Sequence, residues 1–240
     1  MKIISLFSGA GGLDLGLIQA GHTIVWANDI YDDAVATYRR NIGNHVDKRD
    51  ICKIPSAEIP NADVVVGGFP CQGFSVANWG RTASDERNKL YVEMVRVITD
   101  KQPYFFIAEN VKGLISLGKG EVVKRIVADF ADAGYQTTWT ILNSADYGAP
   151  QKRMRFVMLG VRNDISGGEA IFPPDPTHQD PMSKTKNSKL KPWLTVGKAL
   201  SHIPEPSDAP DLPNHEFSKY KLRFNGHLGH RVIDPNQPAP

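Results

Sequence analysis

The sequence predicts an α/β protein built on a doubly wound, mostly parallel sheet. Three observations carry that prediction. Short apolar strands alternate with helices through the first 160 residues, which is the pattern of strands buried on both faces by crossover helices. A glycine-rich turn follows the first strand, where such folds bind their ligands. And 240 residues with 41% hydrophobic content suffice to bury the core of one ordinary domain.

The elements read in order as follows. Ile3–Phe7 is an apolar strand, Leu13–Ala20 a helix stopped by Gly21, Thr23–Ala27 a second strand, and Asp32–Arg40 a helix with its charges outward. Val64–Val66 is a short buried strand, Leu90–Ile98 a helix and Tyr104–Ala108 another strand. Glu121–Ala133 is a helix stopped by Gly134, and Thr137–Leu142 and Arg155–Val161 are the last strands. Beyond Asp164 the texture changes: 12 of the 17 prolines lie between Pro173 and Pro240. Proline lacks the backbone donor a helix needs, so this segment is expected to be irregular, with one short helix at Trp193–Leu200. The chain thus divides into residues 1–163 and a Pro-rich remainder, 164–240.

Charge and cysteine content narrow the classes. The net charge is +2, but residues 181–240 hold nine Lys or Arg against five Asp or Glu. A basic segment on a near-neutral body is compatible with a phosphate-facing surface and equally with a solvated tail. Two cysteines, Cys52 and Cys71, are too few for a disulfide framework and point to a reducing cytoplasm, each thiol being buried or reactive. The chain has no signal-peptide layout at its start, and no apolar run approaches the roughly 20 residues a membrane span requires.

Phe7-Ser8-Gly9-Ala10-Gly11-Gly12-Leu13 joins the first strand to the first helix. Glycines there let the backbone approach a ligand, but such a turn serves NAD, FAD or S-adenosylmethionine alike. Its spacing departs from Gly-x-Gly-x-x-Gly, which argues against a dinucleotide and hence against a nicotinamide dehydrogenase. Asp29 follows the second strand, where a carboxylate can accept both ribose hydroxyls; Ile30 can lie on an adenine face, and Asp50 can accept from an adenine amino group. Any one of these acids is equally a surface or capping residue; their recurrence at strand ends favours an adenosine-containing cofactor.

Gly67-Gly68-Phe69-Pro70-Cys71-Gln72-Gly73-Phe74-Ser75 places a cysteine on a Pro/Gly-bounded loop at the same sheet edge. A structural cysteine usually sits inside an apolar run; one beside turn residues is a candidate nucleophile, since the thiolate attacks. Glu109-Asn110-Val111 ends the Tyr104–Ala108 strand, and Glu109, if it carries a proton, can donate it to a ring nitrogen; the alternative is a capping acid. Gln151-Lys152-Arg153-Met154-Arg155 opens the last strand, and alternation would set Arg153 and Arg155 on one face, suited to a phosphate or a base carbonyl.

With these segments in order, the chain resembles the DNA (cytosine-5) methyltransferases of restriction–modification type. The matching segments are Phe-Ser-Gly-Ala-Gly-Gly, Gly-Gly-Phe-Pro-Cys-Gln-Gly-Phe-Ser, Glu-Asn-Val and Gln-Lys-Arg-Met-Arg, spanning Met1 to about Val161. The resemblance implies the Rossmann-like fold of S-adenosylmethionine-dependent methyltransferases, a prokaryotic cytoplasmic setting, S-adenosyl-L-methionine as cofactor, no metal, and double-stranded DNA as partner. It implies Cys71 as nucleophile toward C6 of cytosine, Glu109 as donor to N3, Asn110 as the residue orienting that region, and Arg155 on the base O2. Cofactor contacts fall to Phe7, Gly9, Gly11, Gly12, Asp29, Ile30, Asp50 and Phe69. DNA contacts fall to Gln72, Ser75, Arg153 and, on a loop over Asn78–Lys89, to Arg81 and Arg87. The target base would have to leave the helical stack, because C5 and C6 are inaccessible within it. Many relatives carry Glu at the Asp29 position and an aromatic residue at that of Ile30; a shorter acid and a non-stacking side chain make cofactor affinity the less secure implication.

Residues 1–163 are therefore expected to be the catalytic and cofactor-binding domain, and 164–240 a linker and the start of an incomplete target-recognition region. Nothing in residues 162–240 matches the family's late motifs; Asn214-His215-Glu216 and His230–Pro235 resemble only the opening of the recognition region. The expectation is a truncated chain or one subunit of a split enzyme, requiring a complementing C-terminal chain. Two rivals remain at this point. One is an RNA (tRNA) cytosine-5 methyltransferase with nearly the same motifs. The other is an inactive DNA-binding homologue, disfavoured because Cys71, Glu109, Arg153 and Arg155 are all present.

Overall fold

The structure, a computed structural model, describes residues 1–70, 89–166, 172–183, 185, 187–204, 207–211, 236 and 238. Cys71, Gln72, Ser75, Arg81 and Arg87 lie outside the described residues. The elements are β1 (Lys2–Leu6), α1 (Gly12–Gln19), β2 (Thr23–Asn28), α2 (Asp32–Asn41), β3 (Val46–Asp47), β4 (Val64–Gly67) and α3 (Lys89–Lys101). They continue with β5 (Phe105–Val111), α4 (Glu121–Asp132), β6 (Tyr135–Asn143) and β7 (Met154–Arg162). Each expected element is present within a few residues of its expected bounds; β3, only two residues long, is too short to leave a periodic signal.

The seven strands form one sheet in the order β3-β2-β1-β4-β5-β7-β6. The pairs β1–β2, β1–β4, β2–β3 and β4–β5 are parallel, and β7 runs antiparallel to β5. The segment 144–153 between β6 and β7 is shorter than the dozen or so residues a crossover back to a parallel strand needs. The strand order reverses between β1 and β4, so the crevice for a ligand opens at the carboxyl ends of these two strands.

Alternation splits the central strands between two cores. Ile4, Leu6, Val65 and Phe106 join Met94, Val97, Ile126 and Phe130 of α3 and α4 on one face. Ile3, Val64 and Val66 join Ala27, Val35 and Tyr38 on the other. Because both faces are covered, these strands read as unbroken apolar runs rather than alternating ones. Gly160 of β7 pairs across from Phe106, and a Cβ there would lie 1.9 Å from that ring, so glycine is what lets the aromatic ring lie flat across the strand.

One polar cluster is enclosed beside the second core. The Asp14 carboxylate, fully buried in the first turn of α1, accepts from Ser5 Oγ at 2.6 Å and Tyr38 Oη at 2.7 Å. Tyr38 Oη also lies 3.1 Å from His45 Nε2; since that hydroxyl donates to Asp14, the histidine nitrogen is the donor in this contact. Burial pushes the Asp14 carboxyl above its ordinary value, outweighing the opposing hydrogen bonds from Ser5 and Tyr38.

The chain falls into two compact units: Met1–Ile141 with Arg155–Pro174, and Leu142–Met154 with Asp175–Pro240. In the second, β8 (His178–Gln179) and β9 (Lys191–Pro192) pair in parallel. Trp193 Nε1 donates to Asp146 Oδ1 at 2.9 Å, and the Lys152 ammonium sits 5.0 Å from the Trp193 ring centroid. The short helix expected at Trp193–Leu200 is α5 (Val196–Leu200), capped by Thr195 Oγ1 accepting from the Lys198 N–H at 3.2 Å. No helix among the described residues is long and apolar enough to cross a membrane.

Candidate active site

Four of the expected cofactor residues line one cavity of about 520 Å³: Phe7 after β1, Asp29 and Ile30 after β2, and Asp50 after β3. All four follow the carboxyl ends of parallel strands, so the shared strand direction brings these residues, far apart in sequence, to one edge. Phe7 takes a left-handed conformation, φ 54°, which costs a non-glycine residue about 1–2 kcal/mol. Backbone strain of this kind is typical of a ligand-facing turn.

Asp29 does more than face the cavity. Its Oδ2 accepts from the Gly9 N–H at 2.8 Å and its Oδ1 from the Tyr31 N–H at 2.9 Å. The carboxylate therefore ties the glycine turn to the end of β2, and each oxygen retains a lone pair for a ligand hydroxyl. Asp50 caps the 3-10 turn Ile51–Lys53 by accepting from the Cys52 N–H at 3.0 Å.

The glycines divide by role. A Cβ at Gly9 or Gly12 would meet nothing within 4 Å, as expected for residues turned to open space. Gly11, with φ +89°, is different: a Cβ there would lie 2.2 Å from Ile42 Cδ1 and 2.9 Å from the Tyr38 ring. Its smallness serves packing behind the turn rather than ligand approach in front of it. None of the three glycines is among the residues lining the cavity.

Phe69 stands elsewhere than the resemblance implied. Its side chain is 2% exposed and packs in the core 5.3 Å from the Tyr91 ring centroid, and the cavity wall is formed by its neighbour Pro70 instead. Phe69 is an apolar anchor for the loop after β4, because a large aromatic ring gains more from burial than from a half-open cavity.

Sequence reasoning missed further wall residues: Asn28, Tyr31, Ile51, Cys52, Lys53 and Leu90. Asn28 Nδ2 donates to the carbonyls of Asp47 and Arg49 at 2.9 and 2.7 Å, holding the chain that leads to Asp50. Tyr31 is 73% exposed, an aromatic one residue beyond the place where the resemblance looked for one. Adjacency to Asp29 and Asp50 was the available signal for Tyr31 and Ile51. Leu90 had none, because it comes from a different segment of chain.

The residues expected to be catalytic that lie within the described region also converge. Glu109, near the carboxyl end of β5, and Arg155, at the start of the antiparallel β7, meet at one end of the β5–β7 ladder and form an ion pair with Arg155 Nε 2.8 Å from Glu109 Oε1. A Cβ at Gly68 would lie 3.0 Å from Glu109 Oε2, so the carboxylate rests against the backbone that leads to Cys71. Asn110, 3% exposed, donates from Nδ2 to the Phe69 carbonyl at 2.9 Å while its Oδ1 accepts from the Val111 N–H at 2.8 Å. It was expected to orient the loop carrying Glu109; besides bonding its neighbour Val111, it clamps the chain two residues before Cys71. Arg153 is exposed and stands one residue before β7, and its carbonyl accepts from the Ser144 N–H at 3.0 Å.

The cavity suits the cofactor that the resemblance implied. Carboxylates at Asp29 and Asp50 flank the apolar side chains of Ile30, Ile51 and Leu90, the arrangement an adenosine requires. In the adjoining turn the Ser8 hydroxyl is buried with no hydrogen-bond partner among the described residues, an acceptor or donor left for a ligand group.

Comparison with known proteins agrees with this geometry. The profile of the C-5 cytosine-specific DNA methylases matches residues 1–232. A type II methyltransferase of Fusobacterium nucleatum, M.FnuDI, is 45% identical over 247 residues, covering 100% of this chain and 69% of that protein. Another from Neisseria gonorrhoeae, M.NgoFVII, is 42% identical over 207 residues, covering 85% of this chain and 54% of its own length. The chain thus spans about half the length of several of the curated relatives it matches. Among solved structures, a protein described as a DNA modification methyltransferase encoded in an E. coli prophage superposes with a TM-score of 0.66 at 29% identity, over 85% of this chain and 56% of that one.

Proposed function

This chain belongs to the C-5 cytosine-specific DNA methylase family, and we propose that it carries the catalytic centre of a site-specific DNA (cytosine-5) methyltransferase of restriction–modification type. The observation that best supports this reading is convergence at one sheet edge. The cofactor cavity, the backbone leading to Cys71 and the Glu109–Arg155 pair all lie at the carboxyl ends of β1–β5 or beside them.

C5 of cytosine is a weak nucleophile while the ring is aromatic. Addition of the Cys71 thiolate to C6 forms an S–C bond, moves the C5–C6 electron pair toward C5, and places a proton on N3. Glu109, ion-paired with Arg155 before the base arrives, takes up a proton from solvent as the base enters and passes it to N3, while Arg155 donates to the adjacent O2. A cytosine offers N3 and O2 side by side, matching two side chains that already lie 2.8 Å apart. Asp29, Asp50 and the Phe7–Gly12 turn would hold S-adenosylmethionine, which would supply the methyl group of its sulfonium to the activated C5 and leave as S-adenosylhomocysteine. Loss of the C5 proton to a base then expels the thiolate and restores the aromatic ring, one difficult step divided into easier ones. The target base reaches Cys71 only by leaving the duplex stack.

Turnover is further proposed to need the portion of the family's length that these 240 residues do not span, supplied in the same polypeptide or as a second chain. Methyl transfer from labelled S-adenosylmethionine tests both parts. Label is expected at C5 of cytosine in duplex DNA once the C-terminal portion of M.FnuDI is added. Preferential labelling of tRNA overturns the substrate, and robust turnover by the 240 residues alone overturns the requirement.

Glu109→Gln keeps the shape of the side chain but removes the transferable proton. In the complemented enzyme its kcat is expected to fall by about 10²-fold or more, the scale of general acid catalysis, with S-adenosylmethionine affinity unchanged. A kcat within threefold of the parent removes Glu109 from the mechanism.

A further inference from the structure

We infer that Arg96 is a positioning residue for the cofactor cavity, a strut that sets the spacing between its α3 wall and its Asp50–Lys53 wall; the inference rests on reading that cavity as the S-adenosylmethionine site. Leu90 contributes the first wall and Asp50, Ile51 and Cys52 the second. These walls share no strand ladder. Residues 51–58 contain two three-residue 3-10 turns, Ile51–Lys53 and Ser56–Glu58, whose backbone hydrogen bonds are local. Apolar packing of Ile51 and Ile54 against α3 brings the segments together, but a non-directional contact leaves the turn free to slide or rotate.

Arg96 removes that freedom. Its Nη2 donates to the Ile51 carbonyl at 3.2 Å and to the Ile54 carbonyl at 3.1 Å, and its Nη1 donates to Ser56 Oγ. Its Nε donates to Glu93 Oε2 at 2.7 Å, one turn earlier on the same helix, so the guanidinium plane is held from behind. Ser56 Oγ in turn donates to the Asp100 carboxylate one turn later on α3. Two successive turns of α3, at Arg96 and Asp100, thereby grip one segment, and Glu93 from the turn before holds Arg96. Ile51 is at once an acceptor for Arg96 and a wall of the cavity, so the distance from guanidinium to wall is a single residue. The Arg96 and Glu93 side chains are 28% and 16% exposed, sheltered enough for charge-assisted bonds to hold their geometry. Arg96 touches no substrate or cofactor in this arrangement, and its effect passes through Ile51 and the turn capped by Asp50.

Lysine keeps the charge but offers a point donor instead of a planar fork, so it cannot serve both carbonyls and Ser56 together. Equilibrium binding of S-adenosylmethionine to the full 240-residue chain is the test, comparing the parent, Arg96→Lys and Val123→Ala. Val123 is a buried residue of α4 and is not a wall of the cavity, so its truncation serves as a control for general loss of stability. Arg96→Lys is expected to weaken S-adenosylmethionine binding by about tenfold and to speed amide exchange at Ile54, while Val123→Ala lowers Tm without altering affinity. Parental affinity in Arg96→Lys overturns the inference and leaves the cofactor reading standing. An equal loss in Val123→Ala also overturns it, because general destabilisation then accounts for the effect. Absence of S-adenosylmethionine binding in the parent overturns the cofactor reading and this inference with it.

Discussion

Cys71→Ser is expected to abolish covalent capture of duplex DNA carrying 5-fluorocytosine at the target position and to lower turnover in the complemented enzyme by about 10⁴-fold or more, the scale seen when other covalent catalysts lose their nucleophile. The fluorine on C5 cannot leave as a proton does, so under the proposed mechanism the parent enzyme is expected to arrest as a Cys71–C6 adduct that survives denaturing electrophoresis. A serine hydroxyl is far less acidic than a thiol and is a much weaker nucleophile without a dedicated base. The substitution leaves the surroundings intact: Asn110 still holds the Phe69 carbonyl, and the Phe69 ring remains anchored against Tyr91. S-adenosylmethionine affinity should therefore stay within about twofold of the parent, well under 1 kcal/mol. A persistent adduct in Cys71→Ser would show that a different residue attacks the base.

Gly11→Ala is expected to destabilise the fold by about 2–5 kcal/mol. Two effects add. A left-handed conformation, φ +89°, strains any side-chain-bearing residue by roughly 1–2 kcal/mol. The new methyl would also lie 2.2 Å from Ile42 Cδ1 and 2.9 Å from the Tyr38 ring. Tyr38 is fully buried and its hydroxyl is committed to Asp14, so relief by movement disrupts that bond too, adding about 1–3 kcal/mol of overpacking. Gly9→Ala is the internal comparison. Its φ is +56° but a Cβ meets nothing within 4 Å, so only the strain applies and the loss should be about 1–2 kcal/mol. Chemical denaturation of the two variants separates these effects. If Gly11→Ala loses no more stability than Gly9→Ala, Gly11 is not held by the packing of α2 behind it.

The strand and helix series was legible because most elements are short, carry an apolar run or a helical apolar face, and several end at a glycine, so the signal lies within a few consecutive residues. Asp29, Ile30 and Asp50 were legible for a related reason: a residue just past a parallel strand is at the ligand edge whatever its neighbours are. Glu109 and Asn110 were legible as a strand end. Arg153 was grouped with Arg155 by alternation, and β7 begins at Met154 between them. Phe69 was placed at the cofactor with its motif, but its ring found more burial beside Tyr91. The antiparallel insertion of β7 beside β5 and the assignment of residues 142–154 to the second unit left no local mark in the sequence.

What the sequence by itself determined is the fold class, the order of elements, the family and the chemical identity of the groups at the sheet edge. Only the tertiary structure decided which of those groups meet: Arg155 with Glu109, Asn110 with the Phe69 carbonyl, Asp29 with the Gly9 amide, Arg96 with the Ile51 and Ile54 carbonyls. The division has a physical cause. Hydrophobic periodicity, capping and turn chemistry act over a few residues and are written in consecutive letters. Hydrogen bonds and ion pairs between segments depend on strand order and register, which are set by the burial of the whole sheet between its helices.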